Sequence, residues 1–242
     1  MPATIEVYYW PTPNGHKVTI ACEEMGLPYE IKPVNIGRGD QFAPAFLAIA
    51  PNNRMPAIVD PDGPDGRPIS VFESGAILQY LGRKTGLFYP SEERARVEVE
   101  EWVYWQMANL GPIAGQANHF RNYAPSFLVD QRQTAYGANR FTNELNRLYG
   151  VLDKQLAGRE FICDEYSIAD MISWPWVTGQ SNPAIEMEAF PNLLAWKGRI
   201  GAREAVQRAL ARAKEIRSGV ALNQSSKEAE AARKVLFGQR AR

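Results

Sequence analysis

Residues 5–35 read IEVYYWPTPNGHKVTIACEEMGLPYEIKPVN, and their order decides the fold. The first six, β-branched and aromatic, run into the breaker cluster Pro11-Thr12-Pro13-Asn14-Gly15, which marks a buried strand followed by a loop. Val18, Ala21, Cys22 and Met25 then fall on one face of a helix, and Gly26 is placed to stop it. Residues 29–35 return as a second strand. The stretch predicts a β-α-β unit.

Working outward, the polar loop Gly37-Arg38-Gly39-Asp40 precedes a short helical piece over 44–49 and then Pro51-Asn52-Asn53-Arg54-Met55-Pro56. Ala57-Ile58-Val59 reads as a strand. The turn-rich run from Asp60 to Gly66 and the strand-like Ile69–Phe72 predict a hairpin with an enlarged loop. Ser74 is a candidate cap for a helix carrying Ala76, Ile77, Tyr80 and Leu81. The order to residue 84 is β-α-β-α-β-β-α.

Thr85 to Ser91 is the best linker candidate, because from Glu92 to about residue 215 only helical periodicity is visible. Val99, Trp102, Val103 and Leu110 form one stripe, and Phe141, Leu145, Leu148, Tyr149, Leu152 and Leu156 another. Ser167-Ile168-Ala169-Asp170 is a helix-start signature, with Tyr166 as a hydrophobic staple in front of Met171. From about Ser218 the tail is polar and partly helical in pattern, able to dock or fray. The expected class is α/β plus all-α: an α/β domain over 1–86, and a helical bundle over 92–242 that includes the tail.

A chain of 242 residues with 45% hydrophobic content supports two packed domains. The 27 basic and 27 acidic residues cancel, so no bulk field favours nucleic acid or an anionic membrane, and a small ligand fits better. Cys22 and Cys163 lie far apart in no paired motif, which argues against a disulfide framework and for a reducing, cytoplasmic setting. No signal peptide or transmembrane run is read, and two histidines imply no metal.

The chemistry is carried by a conjunction. Arg54-Met55-Pro56 precedes a strand, where a cis-proline is compatible and leaves Met55 able to pair in β-fashion with an extended peptide. Ser74 and the N–H groups of its helix start suit a carboxylate, and Glu73 an ammonium group. A ligand with an extended backbone, an α-carboxylate and an α-amine satisfies all three, and glutathione has these groups.

The stretches Pro11–Lys17, Pro51–Ile58, Phe72–Ile77 and Ser167–Asp170 resemble glutathione transferases, and within them the bacterial Nu class and its fungal relatives, across about residues 4–215. The resemblance implies a homodimer of thioredoxin-like plus helical domains with glutathione near the dimer interface. It implies Thr12 and Asn14 near the glutathione sulfur, Gln41 and Arg54 near the peptide ends, Met55 and Pro56 at the backbone pairing, Glu73 and Ser74 on the γ-glutamyl group, and Arg140 reaching across from the other subunit. Neither Thr12 nor Asn14 forms a covalent sulfur intermediate, so they are expected to lower the bound thiol's pKa by hydrogen bonding. The Nu-class likeness favours glutathione-dependent reduction of a small disulfide. Conjugation to an electrophile, thioether or aryl-ether cleavage, and a non-catalytic glutathione-binding regulatory module are the alternatives.

Each part also has a plain reading. Thr12–Gly15 alone is an ordinary strand-to-helix turn, Met55-Pro56 a rigid turn, Glu73-Ser74 a helix cap and Arg140 a solvated charge. Cys22 belongs to the apolar stripe, Cys163 reads as a semi-buried structural thiol, and His16 as partly exposed. The tryptophans at 102, 105, 174 and 176 fit helix packing, since no basic residues interleave with them.

Overall fold

In the computed structural model, which describes residues 3–128, 130–178, 184–216 and 222–239, Ile5, Val7 and Tyr9 supply the buried face of strand β1 (Ile5–Tyr9). Strand β2 (Tyr29–Pro33) lies parallel to β1, with Val7 opposite Ile31. On the other side β3 (Ala57–Asp60) is antiparallel, with Val7 opposite Ile58, and β4 (Ile69–Phe72) pairs antiparallel with β3. The sheet order is β2-β1-β3-β4. Helix α1 (Pro13–Glu24) makes the β1-to-β2 crossover, the short α2 (Pro44–Leu47) follows β2, and α3 (Ser74–Thr85) follows β4. This is the thioredoxin-like order predicted from the sequence.

One helix start and one side-chain placement differ from expectation. Helix α3 begins at Ser74 itself: the Glu73 carbonyl accepts the Ile77 N–H at 2.9 Å, so the chain enters the helix at Glu73, whose φ is +69°. The predicted stop at Gly26 holds, with φ +63° just past α1. Cys163 is buried rather than semi-buried.

The chain divides into two compact units, Met1–Leu78 with Arg208–Arg242, and Gln79–Gln207. The domain boundaries at residues 86 and 92 remain a proposal. In the first unit, Trp10, Val34, Phe46, Ala50, Met55 and Ala57 form one apolar cluster. The tail does not fray throughout. Helix α10 (Lys227–Phe237) starts at Ser226, whose hydroxyl accepts the Ala229 N–H at 3.1 Å, and it buries Ala229 and Ala232. A methyl added at Gly37 would sit 3.5 Å from the Ala232 methyl, and one at Gly39 would sit 3.7 Å from Val235. Asn53 donates to Gln239 at 3.1 Å. The tail's expected beginning at Ser218 lies outside the described residues.

The second unit is helical: α4 (Glu93–Trp105), α5 (Gly111–Asn118), α6 (Gln131–Gln155), α7 (Ile168–Thr178), α8 (Pro191–Gly201) and the start of α9 (Glu204–Glu215). Leu145, Leu148, Tyr149, Leu152 and Leu156 are buried along and just past α6, as their spacing predicts. The start of α7 works as a reciprocal cap. Ser167 Oγ accepts the Ala169 N–H, and Asp170 Oδ2 accepts the Ser167 N–H. Asp170 Oδ1 also accepts from Ile162 N at 3.0 Å and Trp196 Nε1 at 2.7 Å. Tyr166 joins an aromatic group with Phe88 and Phe161, and the Arg203 guanidinium lies 3.8 Å from its ring centre.

Asp170 therefore satisfies three buried donors at once. Asp170→Asn exchanges one acceptor oxygen for a donor facing another N–H, so it is expected to lower unfolding free energy in urea by about 2–3 kcal/mol. A loss under about 0.5 kcal/mol would show that this carboxylate does not organise the unit.

Candidate functional site

The first turn of α1 carries the sulfur-site candidates. Thr12 is extended, with φ −132° and ψ 161°, and caps the helix: its hydroxyl accepts the Gly15 N–H at 3.3 Å, and its carbonyl accepts the His16 N–H at 3.0 Å. The same hydroxyl donates to Met55 Sδ at 3.5 Å. This contact brings the Thr12 turn and the Met55 loop together. The Met55–Pro56 peptide is cis, and both residues are buried. Asn14 is half-buried one turn position further on.

Gly15 makes this approach possible. A methyl there would lie 2.3 Å from the Trp10 carbonyl oxygen and 2.8 Å from the Tyr9 ring, so the helix start and the end of β1 meet at a distance only hydrogen allows. Behind them, Tyr9 Oη and His16 Nδ1 are 3.0 Å apart. Burial pushes the His16 pKa down to about 4 and raises that of Tyr9, so the imidazole is neutral near pH 7 and shares a hydrogen bond with the neutral phenol.

The second cluster joins α1 to the start of α3. Lys17 is 1% exposed, and its Nζ donates to Ser74 Oγ at 3.1 Å, with Ser74 also buried. Burial pushes the Lys17 pKa down to about 7, and the nearby Glu73 carboxylate opposes that shift. Glu73 itself is exposed. Sequence reasoning gave Lys17 no role. Its signal was position: it precedes Val18 and lies four residues before Ala21, on the side of α1 that the apolar stripe already marks as inward.

The remaining candidates are less concentrated. Gln41 is 1% exposed; its amide donates to the Ile36 carbonyl at 3.1 Å, and its buried oxygen has no partner. Arg54 is exposed, directly after Asn53, the residue held by Gln239. Arg140 lies exposed on α6 in the other unit, 4.0 Å from Glu144. Among the described residues no group of three or more His, Cys, Asp or Glu is placed to hold a metal ion, and no helix is long and apolar enough to cross a membrane.

Residues 12–84 match the family described as glutathione S-transferase, N-terminal domain. Over 211 residues the chain is 44% identical to the disulfide-bond oxidoreductase YfcG of Escherichia coli, covering 86% of this chain and 95% of that protein. The chain belongs to the glutathione transferase superfamily. Among solved glutathione transferases, that of Burkholderia graminis, with two glutathione molecules bound per subunit, is 42% identical with a TM-score of 0.83, covering 88% of this chain and 90% of that one. The Pseudomonas putida transferase, with one glutathione disulfide bound per subunit, is 39% identical with a TM-score of 0.80, covering 86% and 90%.

In this chain the Gly15 contact gives a test with an unambiguous sign. In an ordinary helix Gly→Ala adds up to about 1 kcal/mol of stability, whereas here the added methyl overlaps the Trp10 carbonyl. Gly15→Ala is expected to cost about 2–3 kcal/mol in urea unfolding. A gain in stability would show that α1 does not press on β1 as described.

Proposed function

We propose that the protein reduces small disulfides at the expense of glutathione, using the bound glutathione thiolate as the nucleophile. The observation that carries this is the state of the protein's own sulfur. Cys22 and Cys163 are both buried, and burial pushes each thiol's pKa up to about 12, so neither is an attacking thiolate near neutral pH. The reactive sulfur then has to come with the ligand. The two glutathiones, or one glutathione disulfide, found in solved relatives support a site that accommodates a pair of tripeptides.

In this reading Glu73 and Ser74 take the γ-glutamyl amine and carboxylate, and Met55, with Pro56 fixing its peptide, pairs with the cysteinyl backbone. Gln41 and Arg54 take the glycyl end, and Arg140 approaches from a second subunit. Thr12 and Asn14 face the sulfur. The Thr12 hydroxyl is suited to that role because its oxygen is occupied by the Gly15 N–H while its proton rests on a thioether, a weak acceptor that a thiolate outcompetes. The thiolate attacks one sulfur of the disulfide in line; a new S–S bond forms as the old one breaks, and the departing thiolate takes up a proton. A second glutathione thiolate resolves the mixed disulfide. Two glutathiones become glutathione disulfide, and the substrate gains two electrons and two protons.

Steady-state reduction of hydroxyethyl disulfide by glutathione tests this. Thr12→Val and Asn14→Ala are each expected to lower kcat/KM about tenfold or more, equivalent to one unit of thiol pKa, whereas Cys22→Ala retains parental turnover. Losing a donor raises the bound thiol's pKa, so the activity profile of Thr12→Val moves to higher pH. With its pKa held near 4, His16 adds no inflection around its ordinary 6.5. Turnover abolished by Cys22→Ala, or conjugation of a chloronitrobenzene in place of disulfide reduction, would overturn the proposal.

A further inference from the structure

Lys17 is an expensive residue where it stands. A side chain of that length with 1% exposure is filled without desolvation cost by Met, whereas an ammonium in the interior loses its hydration and needs compensation. Two of its interactions lie at the start of α3. The hydrogen bond goes to the Ser74 hydroxyl at 3.1 Å, and the carboxylate that acts on it belongs to Glu73, which is exposed and free to engage a solvent-side ligand. The chain bends to make this arrangement. Glu73 sits at φ +69°, a region disfavoured for a side-chain-bearing residue, so that α3 starts at Ser74 with its first N–H groups beside the same hydroxyl.

An ammonium, a hydroxyl held by that ammonium and the positive end of a helix three turns long thus converge at one end of α3. We propose that Lys17 is the positioning residue for the α-carboxylate of the bound γ-glutamyl group, orienting the Ser74 hydroxyl and holding a positive charge behind the first turn of α3. The inference rests on the reading of Glu73 and Ser74 as the γ-glutamyl subsite. Lys17 acts through Ser74 and the field at the helix start, and it takes no part in sulfur chemistry. The consequence is a preference for one group on the ligand. A tripeptide lacking only the α-carboxylate gains nothing from Lys17.

The experiment compares two ligands on the full-length protein: glutathione and 4-aminobutyryl-cysteinylglycine, which differs from it only by loss of the α-carboxylate. Calorimetric titration of the parent is expected to show glutathione bound about tenfold more tightly or better. In Lys17→Met that preference shrinks to within about twofold: glutathione weakens about tenfold and the analogue does not change. KM for glutathione rises correspondingly, while kcat in disulfide reduction stays within about threefold. Equal weakening of both ligands, or no weakening of either, overturns the role of Lys17 while leaving the subsite intact. A parent that binds both ligands alike removes the subsite reading itself, and the inference with it. Lys17→Gln keeps a hydrogen-bond donor for Ser74 without the charge; it provides the same comparison if the Met variant does not fold, with loss of the ligand preference again expected and its retention again decisive against the proposal.

Discussion

The close approach of α1 to the end of β1 is the constraint on which the site depends. Gly15 lies so near the Trp10 carbonyl that no β-carbon fits, and that proximity fixes the first helical turn against the sheet. Every other feature of the first unit's functional end follows from it. Thr12 reaches Met55 because the turn before Gly15 is pressed toward the loop ahead of β3. Lys17, just beyond Gly15 on the same helix, is carried inward to Ser74. Were the helix to start about one ångström further out, neither contact would form, since both distances would then exceed hydrogen-bonding range. A single missing methyl thus sets the spacing of two clusters more than forty residues apart in sequence.

The two units handle buried charge in opposite ways, and the contrast separates structure from function. Asp170 lies inside the helical unit with three N–H donors on its two oxygens. Burial pulls its pKa up to about 6, those donors oppose the shift, and the carboxylate ties together α7, α8 and the loop before them. Its partners are all internal, which is what a structural polar group requires. Lys17 donates to a neutral hydroxyl and shares its field with an exposed carboxylate. The carboxylate that acts on it is exposed at the start of α3.

Much of this was legible in the chain because local rules and the global fold agree. Strand alternation at Ile5, Val7 and Tyr9, the helical stripe through Val18 and Cys22, and the stop at Gly26 each describe one element, and together they specify the crossover. The capping signature at Ser167–Asp170 was equally readable because it is built from neighbours in sequence. What escaped was non-local. A lysine in an amphipathic helix reads as solvated unless its partner is known, and that partner lies fifty-seven residues away. Ser74 reads as a cap because serine usually is one there; only the positive φ at Glu73 and the bond from Ile77 N–H to its carbonyl reveal that the helix begins one residue earlier than such a cap implies. The tail was ambiguous for a related reason: the small residues Gly37 and Gly39, which admit Ala232 and Val235, carry no mark of what they will meet.

The absence of an accessible cysteine then becomes intelligible as chemistry. Thiol–disulfide exchange proceeds best when the attacking thiol's pKa is near ambient pH, since a lower value yields more thiolate but a poorer nucleophile. An enzyme cysteine at such a site forms a covalent mixed disulfide that a second thiol has to release. A site that only donates hydrogen bonds keeps the mixed disulfide off the protein, so the second thiol resolves a small molecule and not the enzyme. What it needs instead is firm purchase on the tripeptide away from the sulfur, so that a weakly held thiolate is still aimed in line. Thr12, with its oxygen committed to the helix cap and its proton resting on a thioether, is a modest donor of this kind. The stronger electrostatics, a buried ammonium and a helix start, stand at the end of the site that we propose takes the γ-glutamyl group. That division of labour, firm grip at the peptide's end and light touch at its sulfur, is what exchange between two mobile thiols demands of its catalyst.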